Sequence, residues 1–199
     1  AGTAALALRI AMLPTSLFLA LNVAWLALEL WLGLRRKSGG DARHDAGTLR
    51  LLHMAIYPAI ALAVFIAFHR NGRLPESWHV PLLWAGSGLI AAGLALRIWA
   101  IRTLDRFFTV DVRIHDGQEL IGHGPYRHLR HPSYTGALLS FLGLAAGLGN
   151  LLSAGVLLVP VIAAFVVRIR VEEQALAAAF PKTFPAYARQ RRRLVPGLW

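Results

Sequence analysis

The residues best suited to chemistry lie between Gly124 and Gly136, where the chain reads Gly-Pro-Tyr-Arg-His-Leu-Arg-His-Pro-Ser-Tyr-Thr-Gly. Two histidines, two arginines, two tyrosines and two aliphatic hydroxyls fall within thirteen residues. Pro125 and Pro132 each push the preceding residue toward an extended backbone, so no regular helix is expected before Pro132. Pro132 then suits the first turn of the helix that follows. An irregular stretch opening a helix N-terminus offers backbone N–H groups to anionic ligand groups. Arg127, His128, Arg130 and His131 would back such a site. Two other uses of these residues stand beside anion binding. His123, His128 and His131 are metal-ligand types, although no cysteine or HExxH pattern accompanies them and prolines interrupt them. Alternatively, the histidines and arginines anchor the chain at a lipid interface.

A second constellation weakens the anchor reading. Arg168 and Glu172 are four residues apart, so on a helix they share a face, and Glu173 follows directly. A guanidinium and a carboxylate at the end of an apolar run are costly unless they are paired or used.

The elements that must position these groups are membrane spans. The chain of 199 residues is 56% hydrophobic and only 16% charged, with a positive mean hydropathy, which sets it outside the range of ordinary soluble domains. Its formal charge of +11 fits anionic lipid headgroups and the positive-inside bias better than nucleic acid. Neither a nucleic-acid partner nor a protein partner is inferred. With no cysteine there is no disulfide framework or thiolate nucleophile.

Apolar runs from Ile10 to Leu34, Leu51 to Phe68 and about Pro81 to Ile101 are each long enough to span. The first shows no small-residue cleavage site after a short apolar core, so a retained helix is expected. Glu29 lies within two turns of Arg35-Arg36-Lys37 and is expected to pair with that cluster, the other reading being a functional carboxylate. Pro58 should kink the second span. Gly86, Gly88, Ala92 and Gly93 suit a close helix contact in the third, and Arg97 either snorkels to headgroups or points into a site. Residues Arg102 to Arg130 read as a membrane-surface segment. From Tyr134 to Arg168 the chain is apolar again, and the Gly147-Leu148-Gly149-Asn150 turn signal divides it into a hairpin of two shorter spans.

The expected architecture is an all-α integral membrane protein of about five transmembrane helices. Residues 1–101 supply three N-terminal spans and 102–199 a half carrying the surface segment, the hairpin, a C-terminal helix and the site. Lys and Arg concentrate after the first span, between Arg102 and Arg130 and in the C-terminal region. This bias puts the C-terminus and the site on the cytoplasmic face, with an inner cell membrane as the expected location.

The Gly-Pro-Tyr126-Arg-His-Leu-Arg130-His131-Pro132-Ser133-Tyr134-Thr-Gly136 stretch, the hairpin, the Arg168-Ile-Arg-Val-Glu172-Glu173 run, Phe180 and Tyr187 closely resemble the isoprenylcysteine carboxyl methyltransferase family. Its broader relatives are the membrane phospholipid methyltransferases. The resemblance covers about the last 100 residues, and Arg97 and Phe107-Phe108-Thr109 add to it. It implies S-adenosyl-L-methionine as cofactor, bound by Gln118, Glu119, Leu120, Ile121, Tyr126, His131, Pro132, Ser133, Tyr134 and Glu172. It also implies a lipophilic methyl acceptor that arrives from the bilayer lipids and is held by Arg168. Asp111 and Gln118 depart from the Gln and His of eukaryotic members, and Pro181 from the usual Gly after Phe180. Phospholipid or amine N-methylation and a non-catalytic membrane sensor or scaffold remain the alternative functions.

Overall fold

A computed structural model describes residues 2–35, 47–69, 71–110, 112, 114 and 117–195, with side chains from Met12 onward. Asp111 and the Arg36-Lys37 part of the basic cluster lie outside the described residues. Six α-helices follow in order: α1 (Gly2–Arg35), α2 (Thr48–Ala67), α3 (His79–Leu104), α4 (Pro132–Leu148), α5 (Leu151–Ala179) and α6 (Phe184–Gln190). Short 3-10 turns at Glu76–Trp78, Asp105–Phe107 and Gly124–Arg127 shape the connections.

Four of these helices are long and apolar enough to cross a membrane. The hairpin forms where Gly147 to Asn150 signals it, but its arms are unequal. At 17 residues, α4 spans about 25 Å, short of a hydrocarbon core of about 30 Å. The partner α5 has 29 residues and carries Arg168, Glu172 and Glu173 within its unbroken length. The charges that read as the end of a span are therefore interior to a helix whose last turns pass beyond the bundle. Pro58 likewise sits inside an uninterrupted α2.

All five long helices contribute to one apolar core, including Phe18 and Trp25 of α1, Ala63 of α2, Ile90 of α3, Phe141 of α4 and Leu157 and Phe165 of α5. The Trp25 and Phe141 rings meet edge to face at 4.7 Å. Outward positions such as Val23, Phe65 and Val159 are apolar and exposed, as expected of side chains solvated by lipid. The tightest seam joins α3 to α4. A Cβ added to Gly93 would lie 2.5 Å from the Gly136 carbonyl oxygen, and one added to Gly86 would lie 2.6 Å from that of Gly143. Gly86 and Gly93 therefore make the close approach that the sequence suggests, whereas Gly88 faces open space and Ala92 is exposed. By contrast, α1 packs mainly on α3 and α2 on α5.

The end of the bundle away from the charges is closed by polar pairing. Asn150 caps α5 by accepting from the Ser153 N–H at 3.0 Å and donates to the Asn71 carbonyl at 2.9 Å. Gly149 turns with φ of 61°, the left-handed conformation glycine adopts freely. Gly93→Ala should lower the unfolding free energy by about 1–3 kcal/mol through overpacking. Gly88→Ala on the same helix should raise it by up to about 1 kcal/mol through helix propensity. Thermal unfolding of both variants in one detergent checks the contrast.

Candidate functional site

The irregular stretch before α4 and the charged turns of α5 meet at one end of the bundle. Arg168 is 2% exposed. Its guanidinium is held from three directions: Nη1 donates to Thr48 Oγ1 at 2.6 Å, Nη2 to the Val110 carbonyl at 2.5 Å and Nε to the Tyr134 hydroxyl at 3.3 Å. The first turn of α2, the surface segment and the first turn of α4 thus converge on one side chain of α5. One helical turn later, Glu172 turns a carboxylate, one third exposed, toward the His131 ring at 3.8 Å.

The adjacent Glu173 points elsewhere, because one residue on a helix rotates the side chain by about 100°. It is a buried hub. Its Oε1 accepts from Arg130 Nη1 at 2.7 Å and lies 3.2 Å from His131 Nε2, while its Oε2 accepts from Arg193 Nε at 2.9 Å. The basic C-terminal tail is thereby tied to Arg130 and His131, which line the cavity. Its backbone pairs with the Arg130 stretch, the Arg130 and His131 N–H groups donating to the Arg192 and Arg193 carbonyls at 2.7 and 3.1 Å. Arg191 donates to the Tyr126 carbonyl at 2.8 Å, and its guanidinium lies 4.2 Å from the centre of the Tyr187 ring.

The anion site expected at the start of α4 takes a different form. The Tyr134 and Thr135 N–H groups both donate to the His131 carbonyl, Arg130 is engaged with Glu173, and Arg127 and His128 are exposed. Among the described residues, no three His, Asp or Glu side chains are placed to hold a metal ion.

One cavity of about 1040 Å³ connects these parts. Gln118, Glu119, Leu120, Ile121, Tyr126, His131, Ser133, Tyr134, Arg168 and Glu172 all line it. Pro132 is buried as the first residue of α4 and is not on the lining. The cavity continues as an apolar trough walled by α1, including Leu26 and Leu30, and by α2, including Ile56 and Ile60, over a floor of Phe141 and Leu144. The polar lining residues expected from the sequence all lie within 102–199, and α1 and α2 supply the long apolar walls.

Burial pushes the Tyr126 hydroxyl well above its ordinary pKa and the Tyr187 hydroxyl up to about 12, so both face the cavity as neutral hydroxyl groups. Glu29 also lines it and pairs with Arg97 across the bundle: Arg97 Nε and Nη2 each lie 2.7 Å from a Glu29 oxygen. Thr48, Glu173, Arg191, Arg193 and the Glu29–Arg97 pair were absent from the site expected from sequence. Their partners lie far along the chain; the adjacency of Glu173 to Glu172 and the alternative readings of Glu29 and Arg97 were the signals that pointed to three of them.

A helical membrane bundle with a charged, partly buried site at one end of a lipid-facing cavity defines the class of protein. Residues 82–183 match the family model described as phospholipid methyltransferase. The chain is 35% identical over 164 residues to protein-S-isoprenylcysteine O-methyltransferase B of Arabidopsis thaliana, covering 78% of this chain and 82% of the relative. To the A form of the same plant it is 36% identical over 162 residues, covering 77% and 81%. A rice protein (Oryza sativa subsp. indica) named "Probable protein-S-isoprenylcysteine O-methyltransferase" is 35% identical over 119 residues, or 59% of this chain and 61% of the rice protein. The chain belongs to the phospholipid methyltransferase family, and its relatives include proteins named as isoprenylcysteine methyltransferases.

Glu173→Gln should leave Arg130 and Arg193 short of a countercharge and cost about 3 kcal/mol. A lower unfolding temperature in detergent, with faster tryptic cleavage among Arg191 to Arg193, is the expected pair of observations.

Proposed function

We propose that the protein is an integral membrane methyltransferase that uses S-adenosyl-L-methionine to methylate the carboxylate of a lipophilic, isoprenylcysteine-like acceptor. The observation that carries this reading is the single cavity in which a polar lobe and an apolar trough meet beside Arg168. Its volume of about 1040 Å³ is at the upper limit of pockets that hold one drug-sized ligand, about 300–1,000 Å³. A cofactor and the head of a second ligand therefore have room together.

The polar lobe has a donor and acceptor set that fits the cofactor. Glu172 offers a partly exposed carboxylate to positively charged groups, and Tyr126 and Tyr187 offer rings and neutral hydroxyls against a nucleoside. Gln118, Glu119, Leu120 and Ile121 form the facing edge, and His131, Ser133 and Tyr134 the opposite one. When bound, S-adenosyl-L-methionine supplies an electrophilic methyl group on a sulfonium. Arg168 holds and orients the acceptor carboxylate through charge and its planar fork. A carboxylate is already ionised at neutral pH, so the site needs no general base. Methyl transfer from a sulfonium to a carboxylate neutralises both charges, so a cavity that excludes water favours it over bulk solvent.

The trough between α1 and α2 gives the lipophilic tail a sideways path from the bilayer lipids. In this reading residues 1–101 contribute the acceptor wall and residues 102–199 the cofactor lobe, within one membrane domain. The Lys and Arg bias puts the site on the cytoplasmic face of an inner cell membrane. The family model's description favours an amine acceptor on a phospholipid as the second reading. The fixed guanidinium of Arg168 favours an anionic acceptor over an ammonium.

Purified protein should bind S-adenosyl-L-methionine by calorimetry, which separates an enzyme from a scaffold. With a methyl-labelled cofactor and a panel of prenylcysteine analogues and phospholipids, the expected product is a base-labile ester on the prenylcysteine. A base-stable methyl on a phospholipid amine would establish the second reading instead. Arg168→Lys should keep cofactor affinity but slow transfer on the order of 100-fold, the scale of losing an oriented electrostatic contact. Unchanged turnover removes Arg168 from this role.

A further inference from the structure

Arg97 lies on α3 and Glu29 on α1, and the contacts of both end at the site. Arg97 stands near the C-terminal end of α3 with a side chain only 13% exposed. Its Nη2 donates to Glu29 Oε2 of α1 at 2.7 Å, and its Nε lies 2.7 Å from Oε1 as an ion pair without hydrogen-bond geometry. The remaining nitrogen, Nη1, reaches across to α4 and donates to both Ser133 Oγ at 3.0 Å and the Ser133 carbonyl at 3.2 Å. Glu29 Oε1 is itself fixed by the Trp25 indole N–H at 3.2 Å, and Trp25 packs on Phe141 of α4.

Ser133 is the second residue of α4. His131, immediately before the helix, faces Glu172 and Glu173, and Tyr134, immediately after Ser133, contacts Arg168. The backbone is seated against Arg97 as well, since a Cβ on Gly136 would lie 2.8 Å from the Arg97 backbone nitrogen. A guanidinium fork can address two partners at once in fixed geometry, and a carboxylate on one edge determines where the other edge points.

We infer that the Glu29–Arg97 pair is a positioning device for the first turn of α4, aiming His131 toward the cofactor lobe and Tyr134 toward Arg168. The N-terminal helix α1 then positions the first turn of α4 as well as walling the trough. The functional half of this inference rests on the methyltransferase reading; the structural half does not.

Two measurements keep the halves distinguishable. Hydrogen exchange on the ligand-free protein in detergent reads the α4 turn directly, whatever the protein binds. Glu29→Gln should speed exchange of the amides at residues 133–136 about tenfold, with α5 amides near residues 157–165 unchanged. Arg97→Lys keeps the charge and the pairing with Glu29, but a single ammonium cannot hold Glu29 and Ser133 together. It should show the same local acceleration at a near-normal unfolding temperature, and it decides the matter if Glu29→Gln does not fold. Equal exchange rates in Arg97→Lys and the wild type would overturn the positioning role. If the wild type binds S-adenosyl-L-methionine, Arg97→Lys should weaken that binding about tenfold. Accelerated exchange with unchanged affinity would confine the pair to shaping the turn and overturn its functional half. A wild type that binds no cofactor would refute the methyltransferase reading, while the exchange result still stands or falls by itself.

Discussion

A charged side chain in a bilayer needs partners close at hand, and the architecture of this protein follows from how three sets of charges find them. Arg97 links α3 to Glu29 of α1 and to Ser133 of α4. Arg168 links α5 to Thr48 of α2, to the surface segment at Val110 and to Tyr134 of α4. Glu173 joins α5 to Arg130 and His131 ahead of α4 and to Arg193 of the tail. Every long helix is tied in at the same end of the bundle. A buried ion pair adds little net stability compared with apolar packing, but a buried charge deprived of its partner is expensive. The networks therefore select one arrangement of the helices at that end.

Away from the charges the bundle is held by shape. The glycines of α3 and α4 bring two backbones within contact distance, the kind of packing available in lipid, where the hydrophobic effect no longer distinguishes helix from solvent. Among the described residues no comparable seam joins α1 to α2, and the trough between them is floored by α4. A rigid seam on one side and an open trough on the other give the molecule a fixed wall and an accessible one. Tight closure of α1 on α2 would fill the trough, just as a looser α3–α4 seam would blur the geometry of His131 and Tyr134.

The C-terminal tail illustrates how a charge can be assigned to the wrong task when only its sign is known. Arg191 to Arg193 contribute to the basic excess that marks a cytoplasmic face. Arg193 also neutralises a buried carboxylate, Arg191 stacks on Tyr187, and the tail's backbone pairs with the stretch before α4. The tail braces Tyr126, Glu173 and the stretch before α4 instead of lying loose among headgroups.

Much of this was legible in the sequence because it is local. Continuous apolar runs announce helices, Gly149 and Asn150 announce the hairpin turn, and the prolines announce an irregular stretch that becomes helical at Pro132. The four-residue spacing of Arg168 and Glu172 placed both on one helix face, and both line the cavity. Where the sequence misled, a charge was read as a boundary or matched with its nearest opposite. α5 runs on through Arg168 and Glu173, and Glu29 takes as partner Arg97, 68 residues along the chain. Residue type and helical period determine which positions share a face and which faces lipid can solvate. Only the packed bundle decides which helices become neighbours, because that choice rests on close glycine contacts and on pairings between residues dozens of positions apart, to which a local pattern carries no clue.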